Sequence, residues 1–239
     1  NGHQPIRWTL VRPARGWPRG DESMQPRISA LVFDLDGVLW DSTPAHADAF
    51  AEVADAAGLV PVDYAQIAGM TTPEAWRVVA ARNGRLVDDE ELTRLTRAKR
   101  SAFLDLLAEV PIDAEGLDRL AAQRPGLPWA IVTGASEGTL SGFLDRIDRP
   151  ARFRVCISAD DGLPSKPAPD SYLAAFDRLG VPADECVVFE DSVNGLRAAD
   201  AAGALTVHIR GTGAPCVVDH GAVGVRLLAC VPALGDAVM

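Results

Sequence analysis

The chain has 239 residues, which suits one sizeable core or a core with an inserted second domain. It is 48% hydrophobic and 23% charged, as is typical of globular proteins, and no apolar run is long enough to span a membrane. The formal net charge of −10 argues against binding nucleic acid through a general positive field. Any site for an anionic substrate must therefore be locally cationic.

Residues 1–23 differ from the rest of the chain. They contain four arginines and three prolines, with no acid before Asp21, and they lack the apolar segment of a secretory signal peptide. We interpret them as a leader outside the fold, disordered or appended, with Met24 in the position of a native start.

The first predicted element is a buried strand at residues 28–33, which is apolar, rich in β-branched residues and bounded by turn residues. Asp34 and Asp36 follow it directly. Two acids separated by one residue on an extended chain point to the same side. Such a pair at the end of a buried strand requires a cation, and a divalent metal ion is the natural candidate.

The pattern after Leu39 is helical. We predict helices at residues 44–58, 72–83 and 88–109, each with start or stop signals, and no strand interrupts the block. Helix and strand then alternate, which predicts a parallel sheet with right-handed crossovers. The predicted strands span residues 128–132, 153–157, 186–189 and 205–209, the helices span residues 113–124, 136–147, 169–179 and 193–202, and one further short strand or helix is expected near residues 223–228.

The cysteines favour the cytoplasm as the location. Cys156, Cys186, Cys216 and Cys230 lie far apart and form no CxxC pair. The first two lie in apolar runs, which favours small buried residues over a zinc site or disulfides.

Polar residues gather at one edge of the predicted sheet. They are Asp34 and Asp36 after the first strand, Thr133 and Gly134 after the second, Lys166 in a loop before a helix, and Glu190 and Asp191 after the strand at residues 186–189. Crowded carboxylates require compensating charge, which Mg²⁺ and Lys166 would supply together. The site would then accept an anion, with Asp34 as nucleophile and Asp36 as general acid and base of phosphoryl transfer.

These residues resemble the four motifs of the haloacid dehalogenase (HAD) superfamily. The matching segments are Asp34-Leu35-Asp36-Gly37-Val38-Leu39, Thr133, Lys166-Pro167, and Glu190-Asp191-Ser192 with Gly195. The helical insertion resembles the type-1 cap of the branch that contains β-phosphoglucomutase, phosphoglycolate phosphatase and sugar phosphatases. The resemblance implies an α/β fold, in which a Rossmann-like parallel-sheet core (residues 24–43 and 112–239) carries an all-helical cap (residues 44–111) placed like a lid.

The resemblance also implies roles for individual residues. Asp34 would be the nucleophile and Asp36 the acid and base. Phosphate or substrate would contact Thr133, Gly134, Lys166, His46 and Thr71, with Met70 and Trp76 as further candidates for specificity. Mg²⁺ would bind Asp34, Asp36 through its carbonyl, Glu190 and Asp191.

Phosphatase activity on a small sugar, polyol or organic-acid phosphate is the favoured function. A β-phosphoglucomutase-like activity is the alternative, but Thr72 and Ser136 stand where the mutase has cations for a second phosphate. A non-catalytic phosphate-binding protein is a third possibility. Phosphonate cleavage would require a lysine of the cap, and we expect Lys99 to be solvated instead. We expect a monomer or homodimer with no nucleic-acid or membrane partner.

Overall fold

The computed structural model describes residues 27–68, 70–112, 114–123, 125–147, 150–210 and 227–232. The predicted leader and Cys216 lie outside these ranges. The chain divides into two compact units. One comprises the described residues up to Trp40 and from Ile112 onward, and the other is Asp41–Pro111.

The first unit contains a parallel sheet. Its strands are β1 (Ala30–Phe33), β2 (Trp129–Val132), β3 (Phe153–Ile157), β4 (Cys186–Glu190), β5 (Leu205–Arg210) and β6 (Leu227–Pro232). The strand order is β3-β2-β1-β4-β5-β6, and all neighbours are parallel. The α/β class with a Rossmann-like parallel sheet is therefore confirmed. Because β1 has β2 on one side and β4 on the other, its carboxyl end is where ligands bind in sheets of this kind.

The helices occur in two groups. Those of the second unit are α1 (Thr43–Ala56), α2 (Thr72–Arg82) and α3 (Asp89–Glu109), and those of the sheet unit are α4 (Ala114–Gln123), α5 (Glu137–Leu144), α6 (Asp170–Leu179) and α7 (Val193–Ala201). No helix in the part of the chain that the structure describes is long and apolar enough to cross a membrane.

Side chains of the strands alternate between two buried faces of the sheet. On one face, Val32 of β1 and Val188 of β4 share a core with Tyr172 of α6 and Ala198 of α7. On the other face the rings of β1 and β4 stack, since the Phe33 and Phe189 centroids are 4.7 Å apart. Both faces are covered, which explains why these strands are continuous apolar runs.

The helical unit has its own core, in which Trp76 of α2 is fully buried and lies 5.0 Å from the Phe50 ring of α1. The prediction that Lys99 is solvated is wrong: Lys99 is 5% exposed. It lies on the inward stripe of α3, between Leu95 and Phe103, at the spacing that places residues on one helix face. Its charged neighbours along the sequence conceal that position.

Candidate active site

The site begins where β1 ends. Asp34 is 7% exposed, and its N–H donates to the carbonyl of Phe189 on β4, so the sheet itself fixes the residue. Asp36 follows in the next turn, and its charge raises the pKa of Asp34, although less than burial does. The structure therefore brings the two predicted catalytic acids close to each other.

Lys166 joins three parts of the sheet unit through its ammonium group. Nζ donates to Asp34 Oδ1 at 2.6 Å, to Glu190 Oε1 at 2.6 Å and to the Val132 carbonyl at 2.9 Å. An ammonium group has three protons, and these three acceptors use all of them. The lysine is thus aimed at the predicted nucleophile and is held from two other directions.

Glu190 is fully buried at the carboxyl end of β4, and both oxygens of its carboxylate accept hydrogen bonds. Oε1 accepts from Lys166 and from the Tyr172 hydroxyl, both at 2.6 Å. Oε2 accepts from the N–H groups of Asp191 and Ser192 and from the Ser192 hydroxyl, at 3.1 to 3.2 Å. A buried carboxylate is stable when it is paired and saturated in this way.

Two glycines make room for the carboxylates. Gly37 has φ of +77°, and a Cβ at this position would overlap the Asp191 carboxylate. A Cβ at Gly195, in the first turn of α7, would overlap the carboxylate of Glu190. The Gly in each motif is therefore explained by close approach to an acid.

The electrostatic balance of the site is negative. Burial raises the pKa of Asp34 well above its usual value, and the nearby Lys166 only partly opposes this. Burial, followed by the charge of Glu190, also raises the pKa of Asp191 to about 7. Burial alone would lower the pKa of Lys166, but Asp34 and Glu190 raise it well above normal, so the ammonium stays charged. One ammonium faces three carboxylates among these residues.

This arrangement fits a divalent metal ion. One oxygen from each of Asp34, Glu190 and Asp191 lies within 4.8 Å of the others. Hard oxygen ligands of this kind suit Mg²⁺, and a dication would offset the excess negative charge that the raised pKa values reflect. Gly37 allows the Asp191 carboxylate to lie against the turn that carries Asp36, where a side chain at position 37 would displace it.

Thr133 and Gly134 follow β2, the neighbour of β1. The Thr133 N–H donates to the Ile157 carbonyl, and its hydroxyl accepts from the Ala135 N–H at 2.9 Å. Thr133 is 5% exposed, whereas Gly134 is exposed. These contacts fix the loop at the same edge of the sheet, and phosphate binding by both residues stays a prediction.

His46 and Thr71 belong to the helical unit, where each has structural contacts. His46 Nδ1 lies 2.5 Å from Lys99 Nζ, and its ring stacks on Phe103 with centroids 4.0 Å apart. Burial, followed by the charge of Lys99, lowers the pKa of His46 to about 3, so the ring is neutral near pH 7. Thr71 forms a capping box with Glu74 at the start of α2. Contact of either residue with substrate stays a prediction.

Sequence reasoning missed Tyr172. It is fully buried on α6, and its hydroxyl donates to Glu190. The available signal was Glu190 itself: a carboxylate at the end of a buried strand needs donors around it, although the sequence does not tell which helix supplies them.

Comparisons with known proteins agree with this geometry. A model of the haloacid dehalogenase-like hydrolases matches residues 28–203. The chain is 34% identical over 191 residues to the fructose-1-phosphate phosphatase YqaB of Escherichia coli, which covers 78% of this chain and 99% of that protein. It is 33% identical over 190 residues to hexitol phosphatase A of Escherichia coli, covering 79% and 85%. The structure of CbbY from Rhodobacter sphaeroides in complex with phosphate has a TM-score of 0.68 at 26% identity, covering 88% of this chain and 95% of that one. The family predicted from the four motifs is confirmed.

Proposed function

The chain belongs to the haloacid dehalogenase-like hydrolase family, and from this premise we propose that it is a Mg²⁺-dependent phosphatase that forms a phosphoaspartyl intermediate on Asp34. It is a phosphoric monoester hydrolase, as its phosphatase relatives indicate. Two of those relatives are named for fructose 1-phosphate and hexitol phosphates. A sugar or polyol phosphate is therefore the substrate class that we favour, with organic-acid phosphates next.

One observation carries the proposal: the Lys166 ammonium lies 2.6 Å from Asp34 Oδ1, at the carboxyl end of the central strand. A phosphoryl group that approached Asp34 would meet this charge. Positive charge fixed in advance where the phosphoryl oxygens develop charge is the largest contribution that a protein can make to phosphoryl transfer.

In the first step, an Asp34 carboxylate oxygen attacks the phosphorus atom and the bond from phosphorus to the ester oxygen breaks. The leaving oxygen takes a proton from the Asp36 carboxyl group, so the alcohol departs neutral. The charge of the Lys166 ammonium beside Asp34 stabilises the phosphoryl oxygens during this transfer, and the Thr133 hydroxyl donates to one of them.

In the second step, Asp36, now a carboxylate, takes a proton from water. The water oxygen attacks phosphorus and the bond to Asp34 breaks, which releases inorganic phosphate and restores both acids. Asp36 thus regains from water a proton that replaces the one it gave to the alcohol, and one residue serves as acid in the first step and as base in the second.

Mg²⁺ would be held by the carboxylates of Asp34 and Asp191 and by the carbonyl of Asp36. Glu190 would lie beside these ligands. When bound, the ion would neutralise charge on the carboxylates and on the phosphoryl group. Glu190 already accepts five hydrogen bonds. Its role would therefore be to hold Lys166 and the backbone of Asp191 in place.

The mutase alternative has no comparable observation in its favour. The Ser136 side chain, which stands where the mutase has a lysine, accepts from the Thr139 N–H as the cap of α5. A second phosphate would find no cation at that position. A cytoplasmic location and a monomer or homodimer stay predictions; Cys156 and Cys186 carry free thiols.

Phosphate release from a panel of sugar, polyol and organic-acid phosphates tests the proposal. We expect turnover with Mg²⁺, loss of turnover with EDTA, and loss in Asp34→Asn. Asp177→Asn, which neutralises an exposed acid on α6, is the matched control and should keep full activity. Turnover that persisted in Asp34→Asn or in EDTA would refute the mechanism.

A further inference from the structure

The ring of Tyr172 lies under the ammonium of Lys166. Lys166 Nζ is 5.0 Å from the ring centroid, and both residues donate to the same oxygen, Glu190 Oε1, at 2.6 Å. Tyr172 is fully buried and lies in the first turn of α6. Lys166 lies in the loop before that helix, where a cis peptide bond joins it to Pro167. The Tyr172 hydroxyl bonds Glu190 and the ring faces Lys166, so these two contacts connect Tyr172 to the nucleophile that Lys166 bonds.

The phenol acts as a donor in this pair. Burial, followed by the charge of Glu190, raises the pKa of Tyr172 well above its usual value, so the hydroxyl keeps its proton. A carboxylate can only accept hydrogen bonds, which fixes the direction of the contact from Tyr172 to Glu190. Oε1 of Glu190 therefore divides its negative charge between two donors.

Resting on the function proposed above, we propose that Tyr172 is a positioning residue that sets how strongly Lys166 is directed toward Asp34. Its hydroxyl partly satisfies Glu190 Oε1, which leaves the ammonium free to bond Asp34 as closely as it bonds Glu190. Without the hydroxyl, Glu190 would have Lys166 as the only donor to Oε1. In a buried site it would draw the ammonium away from the nucleophile.

Movement of the Lys166 ammonium away from Asp34 would affect the transferring phosphoryl group mainly in the transition state. Charge on the phosphoryl oxygens is greatest there, and a displaced ammonium stabilises it less. Loss of an interaction that is made only in the transition state lowers kcat and kcat/KM equally and leaves KM unchanged. If Tyr172 had only a structural role, removing its hydroxyl would change the free energy of unfolding and leave kcat as it is.

Tyr172→Phe tests the proposal because it keeps the ring, its packing and its contact with the ammonium. We expect kcat to fall about tenfold, the effect of one hydrogen bond to a charged group, with KM for a chromogenic phosphate monoester unchanged. Affinity for orthovanadate, which mimics the transition state, should fall by a similar factor, and affinity for inorganic phosphate should fall much less. Thr206→Val, which removes a buried hydroxyl elsewhere in the sheet, is the matched control and should keep wild-type kinetics.

A second readout needs no turnover. Lys99 and Lys166 are the only lysines of the chain, so selective ¹⁵N labelling gives two side-chain signals, which Lys99→Arg assigns. We expect Tyr172→Phe to shift the Lys166 ammonium signal and to leave the Lys99 signal in place. An unchanged Lys166 signal, or an unchanged kcat in active protein, would overturn the proposal. A wild-type protein that hydrolysed no ester would refute the proposed function instead, and the Lys166 signal would still report whether Tyr172 positions it.

Discussion

The close contact between Gly195 and Glu190 allows a sharp test of how the site is held together. Gly195→Ala adds a single methyl group in the first turn of α7. That methyl group would overlap the Glu190 carboxylate carbon and both of its oxygens. Because Glu190 is fully buried at the end of β4, its carboxylate cannot avoid the overlap by turning toward solvent.

The expected cost follows from the contacts that Glu190 would lose. Moving the carboxylate away from α7 breaks its Oε2 bonds to Asp191 and Ser192 and disturbs the pair with Lys166. Disrupting a buried ion pair of this kind costs about 3 to 5 kcal/mol. Replacing Gly by Ala within a helix returns up to about 1 kcal/mol. The net loss in the free energy of unfolding is therefore about 2 to 4 kcal/mol.

Gly142→Ala is the matched control, since it is the same substitution on α5 with nothing within 4 Å of the added Cβ. It should stabilise the protein by about 0.5 to 1 kcal/mol and keep wild-type kcat. Urea denaturation followed by circular dichroism measures both variants, and phosphate release measures their activity. We expect Gly195→Ala to lose stability and also activity, because Lys166 shifts with Glu190. A Gly195→Ala protein with the stability and kcat of Gly142→Ala would refute the reasoning.

Three further predictions concern metal binding and packing. The pKa of Asp191 is raised to about 7, so its folded-state pKa exceeds the unfolded value and the metal-free protein should lose stability as the pH rises toward 7. Thermal stabilisation by Mg²⁺ should therefore grow over the same pH range and disappear in Asp191→Asn; stabilisation that is independent of pH would contradict this. Thr206→Val should raise the free energy of unfolding by about 1 kcal/mol, because the buried Thr206 hydroxyl has no hydrogen-bond partner among the residues that the structure describes; a loss measured in urea would count against it. Asn83→Ala should destabilise the helical unit by about 2 kcal/mol, since the side chain bonds both the N–H and the carbonyl of Val60; unchanged hydrogen exchange in α1 and α2 would exclude that role.

The sheet could be predicted because its strands are buried on both faces. Such strands are uninterrupted apolar runs, and the residue after each run marks the edge where polar groups collect. Asp34, Glu190 and Asp191 are predicted by that reasoning and Lys166 by its place in a loop before a helix, and the structure brings the four together. The spacing of the four motifs added the family.

Contacts between elements could not be predicted in the same way. Tyr172 bonds Glu190 because α6 packs on the face of the sheet toward which Glu190 points, and sequence spacing does not give that packing. Lys99 was misjudged because its neighbours Arg97 and Arg100 are charged, although its own position belongs to the apolar stripe of α3. Thr71 caps the start of α2. The sequence alone does not decide between Thr71 and the adjacent Thr72 for this role, because both are threonines.

Detection of phosphate on Asp34 tests the central claim most directly. The wild-type protein would be mixed with Mg²⁺ and a phosphate ester that it hydrolyses, and the reaction would be quenched in acid within one turnover. The protein would then be digested, and the peptide that contains Asp34 and Asp36 would be analysed by mass spectrometry. We expect one phosphoryl group on this peptide, located on Asp34, which disappears as phosphate is released and is absent from Asp34→Asn. Full turnover with no phosphorylated peptide at any time, or with the phosphoryl group on another residue, would contradict the account.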